Sequence, residues 1–235
     1  MPQIGHIPGA KGIAGDRVRE ALLGMAAGLA GLAGYVDAIG FIKLGGFFVS
    51  FMSGNSTRLA VGVATDHGAV ALAACLLFAF VGGVVLGTLA AALAGRNRKA
   101  AVLALVTVVL LGAAVLDESL GARAAALALA VAMGAENAVF QRNGEVSIGL
   151  TYMTGTLVKI GQHLAAALMG GNRWTWIPYL LLWVSLTAGA VLGALSLARV
   201  GEWAIRIAAC AAGLLAICAA KVGPVSVRAF RAPLA

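Results

Sequence analysis

Four residues could do chemistry in places where chemistry is costly. Asp37, Arg58, Glu136 and Lys159 stand inside stretches that are otherwise apolar. A charge at the centre of a membrane helix costs about 2.5–3.5 kcal/mol, so four left alone would cost about 10–14 kcal/mol. They must therefore be paired or meet water. One chemistry is a polar cavity in which Arg58 and Lys159 take a solute or ion while Asp37 or Glu136 carries a proton. A second is structural, with Asp37–Arg58 and Glu136–Lys159 ion pairs that only lock the helices, and buried pairs of that kind bring little net stability. In a third, Arg58 and Lys159 reach along the apolar surface to the membrane interface.

Both cations belong to a motif that occurs twice. GFFVSFMSGNSTRLAVGVA (46–64) and IGLTYMTGTLVKIGQHLA (148–165) superpose at a shift of 101 positions, with Phe51-Met52-Ser53-Gly54 on Tyr152-Met153-Thr154-Gly155 and Arg58 on Lys159. Ser53, Gly54, Asn55, Arg58 and their counterparts Thr154, Gly155, Thr156, Lys159 are the candidate solute-binding residues. Asp37, Glu136, Asn137 and His163 are candidates for proton coupling or charge pairing. Plainer roles stand beside these. Helix capping accounts for Asn55, Ser56 and Thr156 equally well, His163 suits a relay or an interface, and Tyr35 and Tyr152 suit a cavity wall, an interfacial belt or the core.

Composition decides the solvent these elements fold in. Of 235 residues, 61% are hydrophobic and 11% charged, with mean hydropathy +0.97; a soluble domain carries about 25% charged residues. This is an all-α polytopic membrane protein. Its net charge of +8 lies between apolar runs and at the termini, as in cytoplasmic loops, so nucleic acid is not the expected partner. Spans are expected near 19–42, 69–94, 100–116, 123–141, 174–198 and 203–220, of suitable length for about 30 Å of hydrocarbon. Trp174, Trp176 and Trp203 mark interfacial ends. GLAGLAG in the first span, and the matching Gly83–Gly87 and Gly189–Gly193 pairs, provide small faces for close helix contact. Cys75, Cys210 and Cys218 lie in apolar runs without metal-ligand spacing and are expected to be small buried hydrophobes.

The repeated motif is too short to cross. About a dozen residues follow Ser53 or Thr154 before the next loop, roughly 18 Å of helix at 1.5 Å per residue. Re-entrant half-helices leave six crossings and put the N-terminus, GRNRK (95–99), Arg142 with Arg173, and the Lys221 tail on one side. Asp117 and Glu118 fall on the other. The positive-inside rule prefers this arrangement to eight crossings. The units are a tail (1–20), a first repeat (21–118), a second (119–221) and a C-terminal tail (222–235). Three spans per repeat make the copies inverted. Ser53 and Thr154, preceded by Gly45-Gly46 and Gly149, are expected as N-caps whose helix starts both face the bilayer midplane. Free amides there would seat an anion.

The strings GYVDAIGFIKLGGFFVSFMSGNSTRL and AENAVFQRNG…TYMTGTLVKIGQHL resemble the YoaK-type family of small bacterial membrane proteins, across about residues 20–220. The resemblance implies six spans and a bacterial plasma (inner) membrane location. It implies no substrate or reaction.

The sequence has no Gly-rich nucleotide loop, no H-E-x-x-H and no G-x-S-x-G. His6, His67 and His163 are far apart, and Ser53 has no base nearby. No cofactor, metal or enzyme activity is expected. The expected function is a transporter or channel for a small anionic or zwitterionic solute, its site lying at the midplane between the two half-helix starts. The alternatives are a non-transporting assembly or regulatory subunit and, further off, a membrane-embedded enzyme. The expected partners are the lipid bilayer and a small solute, and the small-residue faces are compatible with a homodimer.

Overall fold

The computed structural model describes residues 9–142, 145–146 and 153–222, with side chains over 20–141 and 153–221. Among the described residues there are eight α-helices: α1 (Gly9–Lys43), α2 (Met52–Thr65), α3 (His67–Ala94), α4 (Arg98–Leu120), α5 (Ala122–Glu136), α6 (Met153–Leu168), α7 (Ile177–Val200) and α8 (Trp203–Val222). A 3-10 turn, Gly95–Asn97, joins α3 to α4, and another, Asn137–Phe140, prolongs α5. After it, a short antiparallel ladder pairs Gln141 with Val146 and Arg142 with Glu145. Five helical stretches are long and apolar enough to cross a membrane. One of them, His67–Leu120, has 54 residues, roughly 80 Å of helix and too long for a single crossing. It folds at the Gly95–Asn97 turn, and α3 then packs against α4. Six helices of crossing length result, with α2 and α6 as two shorter ones. The helix α1 already runs from Gly9, so residues 9–20, expected as a tail, are helical.

Local chemistry sets the breaks. Gly45 and Gly46 take φ of 66° and 104°, a region that side chains with a Cβ resist, and they turn the chain back after Lys43. Residues 44–51 then form no helix, and α2 starts behind them. The Asp66 backbone is extended and ends α2, while its side chain accepts a 2.8 Å hydrogen bond from Gly68 N and caps α3.

Packing joins each half of the chain to the other. The first helix of each half lies along the second long helix of the opposite half, α1 on α7 and α5 on α3. These contacts are backbone to backbone. A Cβ on Gly83 would strike the Val131 carbonyl and one on Gly87 that of Ala135, while one on Gly134 would strike that of Phe80. In the other pair, Gly189 faces Gly31, Gly193 faces Tyr35 and Gly34 faces Leu186 in the same way. The expected small-residue faces are thus used within the protomer. The remaining contacts follow one plan: α2 packs on α3 and α6 on α7, α4 on α5 and α8 on α1, and α4 meets α8.

The bundle has two chemically distinct ends. At one, Lys43 Nζ pairs with Asp117 Oδ2 at 2.7 Å and Arg206 with Glu118, and the Tyr35 hydroxyl donates to the Ala204 carbonyl at 3.1 Å. Tyr35 is therefore a core residue. At the other, Leu22, Val102, Leu103, Phe140, Leu182 and Ala219 form one packed cluster beneath the basic Gly95–Asn97 turn. Cys75, Cys210 and Cys218 are free but exposed, not buried. In a bilayer the outer surface is itself apolar, so a small hydrophobe is stable there.

Candidate functional site

Asp37 ends up bonded to backbone. Its Oδ1 accepts from Val49 N and Ser50 N, both at 2.8 Å, which pins the non-helical residues ahead of α2 against α1. Asn55, fully buried on α2, completes the pinning. Its Oδ1 accepts from Phe48 N at 3.0 Å, and its Nδ2 donates to the Phe48 carbonyl at 2.6 Å. These residues hold a broken helix in shape.

The other candidates divide between packing and surface. Arg58 stacks on the Phe47 ring at 4.7 Å and fills the space beside Gly46. Lys159 is exposed and lies 5.3 Å from the Tyr179 ring, which His163 also stacks against at 5.1 Å. Neither the Asp37–Arg58 nor the Glu136–Lys159 ion pair forms among the described residues. The nearer donors, two backbone amides, take the Asp37 carboxylate, and aromatic faces take both cations. Lys159, His163 and Tyr179 gather where α6 meets the start of α7.

Ser53 and Thr154 are not N-caps. Phe51 holds the cap position of α2 without a side-chain bond, and Thr154 is the second residue of α6. Two early amides of α2 are used locally, Met52 N by the Ser50 carbonyl and Gly54 N by that of Phe51, and are not free for an anion. Ser53, Thr154 and Gly155 are exposed, and Gly54 is half-buried. Nor do the two helix starts converge. Phe47 and Val49, ahead of α2, pack with Ile39, Ala113 and Ile205, whereas Met153 of α6 packs with the cluster around Phe140. Tyr152 and Gly149 lie outside the described residues.

Glu136 is different. On α5 it is 0% exposed, and neither carboxyl oxygen has a hydrogen-bond partner among the described residues. It directly follows Ala135, whose backbone meets Gly87 in the α3–α5 crossing. Asn137 beside it donates to the Met133 carbonyl at 2.9 Å, and Thr156 of α6 is buried. Asn137 occupies the place in the second half that Asp37 has in the first, just past a glycine crossing and at the end of a first helix.

Sequence reasoning passed over Lys99. Read as part of a basic loop, it lies in the first turn of α4, 8% exposed, and its Nζ has no hydrogen-bond partner among the described residues. Its nearest aromatic face is Phe140, at 5.6 Å. The signal available was position, since Lys99 is the cation that opens an unbroken apolar run, AAVLALVTVVLLGAAVL (100–116). An open cleft of about 580 Å³ at the opposite end is lined by Lys43, Phe47, Asp66 and Arg123 among others, and also went unforeseen.

Comparison with known proteins places the chain among membrane proteins whose role is not known. No solved structure matches it. A transmembrane protein of Rhizobium meliloti (strain 1021), described as UPF0700 transmembrane protein RA0705, is 35% identical over 200 residues, which span 85% of this chain and 87% of that one. The model of the family DUF1275, described as a protein of unknown function, matches residues 25–218. With its apolar helical bundle and a match over most of its length, this polytopic transmembrane chain belongs to the DUF1275 family.

Proposed function

We propose that the protein is a transporter for a small solute, with Glu136 as the group that carries a coupled proton. One observation carries this reading: a carboxyl group wholly inside the helix bundle, with neither oxygen hydrogen-bonded among the described residues. In an apolar interior such a group is kept only when its protonation or a ligand is used, because desolvation without a partner is strongly unfavourable. The pinned helix α2, the short helix α6 at the matching place and the paired glycine crossings support a duplicated, inverted architecture, the design in which one half rocks against the other around a fixed site. The resemblance to YoaK-type proteins adds a bacterial plasma-membrane setting, and the positive-inside rule puts both termini in the cytoplasm.

The test is solute-driven proton movement. Purified protein is placed in liposomes that trap a pH-sensitive dye, and amino acids and small organic acids are added one at a time. At least one compound should change the internal pH with the native chain and none with Glu136→Gln, whose melting temperature should stay close to native. Silence from the native chain across the panel, or equal rates in Glu136→Gln, would remove the proposal.

A further inference from the structure

We infer that Lys99 is the anion-binding half of the Glu136 site, so that the solute bears a carboxylate or similar monoanionic group. The inference rests on the transport reading and names its substrate class. Lys99 and Glu136 are buried ionisable groups of opposite sign whose polar atoms have no hydrogen-bond partner among the described residues. They belong to neighbouring elements, because α4 packs against both α5 and the 3-10 turn that prolongs it. Phe140 links the two elements. It lies four residues beyond Glu136, about 6–8 Å along the helical rod, and presents its ring to Lys99 Nζ at 5.6 Å. Leu103 and Val102, one turn beyond Lys99, pack in the same cluster as Phe140.

Helix electrostatics do not account for Lys99. A cation in the first turn of a helix faces the positive end of the dipole, the end that favours an anion. No acidic side chain among the described residues pairs with it, and Arg98 beside it adds charge of the same sign. A partner brought from solution satisfies both features at once. The anionic group meets the Lys99 ammonium, the Phe140 ring moves aside or lines the solute's apolar part, and the accompanying proton resides on the Glu136 carboxyl.

An acidic lipid headgroup offers the same chemistry, but Lys99 Nζ is buried within the protein, 5.6 Å from the Phe140 ring. This favours a free solute. The basic residues Arg96 and Arg98 on the adjoining turn would gather anions at that end.

The experiment is thermal unfolding of the full chain in neutral detergent micelles with acetate, benzoate, inorganic phosphate or choline, and separately with added phosphatidylglycerol. Benzoate or another of the free anions should raise the native melting temperature, and choline should not. Lys99→Gln should lose that rise, Lys99→Arg should keep part of it, and Glu136→Gln should keep it with an altered pH dependence. An unchanged anion response in Lys99→Gln, no response of the native chain to any free anion, or a response to phosphatidylglycerol alone would each overturn the inference. Should Lys99→Gln fold poorly, Lys99→Arg and Lys99→Met decide: equal anion responses in those two variants would exclude a role for the charge. The outcomes are separable from those of the transport assay. Proton movement without a Lys99-dependent anion response sinks this inference alone, whereas a Lys99-dependent response without proton movement sinks the coupling role of Glu136.

Discussion

Asp37 and Asn137 occupy matching places in the two halves, and only one of them can carry a charge. At position 37 the structure uses an acceptor oxygen, which takes two amide hydrogens at 2.8 Å. An amide side chain has the same acceptor. Asp37→Asn should therefore change thermal stability by less than about 1 kcal/mol, whereas Asp37→Ala strands two amides and should cost about 2 kcal/mol or more. Equal damage from both variants would show that the charge itself is needed. The sequence made Asp37 conspicuous for its charge, and the natural partner to look for was Arg58. It could not show that the chain doubles back at Gly45 and Gly46 and brings the amides of residues 49 and 50 within reach first. Glu136 was legible as an anomaly of the same kind. Its isolation was not, because isolation depends on which side chains the packing leaves out.

At the scale of elements, hydropathy located five of the six long helices to within a few residues at both ends, because a membrane helix is apolar over its crossing length. It missed the start of α1, which extends back to Gly9 through a polar stretch that hydropathy does not mark. That α2 and α6 are short was legible too, and at 14 and 16 residues both fall short of the length a crossing takes. Pairing was not legible. A Gly-xxx-Gly face says that some backbone comes close, but not whose, and nothing in the first half names α7 as the neighbour of α1. The glycine contacts make the pairing testable. Gly83→Ala and Gly189→Ala each force a methyl group into a carbonyl of the opposing helix. Each should lower stability by about 1–3 kcal/mol in reversible unfolding. Gly82→Ala has open space around it and should be neutral or stabilise by up to about 1 kcal/mol. The two damaging variants should also resemble each other, since they sit at equivalent crossings. If Gly82→Ala proves as harmful as its neighbour, or Gly189→Ala is silent, the crossings are looser than described.

For the whole molecule the question is which end faces the cytoplasm, and charge supplies the argument. Asp117 and Glu118, paired with Lys43 and Arg206, gather at one end, while the Gly95–Asn97 turn, Arg173 and Lys221 crowd the other with cations. Positively charged loops stay inside, so the second end should be cytoplasmic. From position 96 to position 202 the chain passes through α4, α5, α6 and α7. Three of these have crossing length, and α6 turns back if it is a half-helix. On a background with Cys75, Cys210 and Cys218 replaced by alanine, Glu202→Cys should react with a membrane-impermeant maleimide in intact spheroplasts. Arg96→Cys should react only after lysis. The reverse pattern would invert the molecule and break the charge rule. Labelling of both from one side would mean an even number of crossings between them, so α6 would span the bilayer. The two-half-helix architecture, and the rocking motion proposed from it, would fall together.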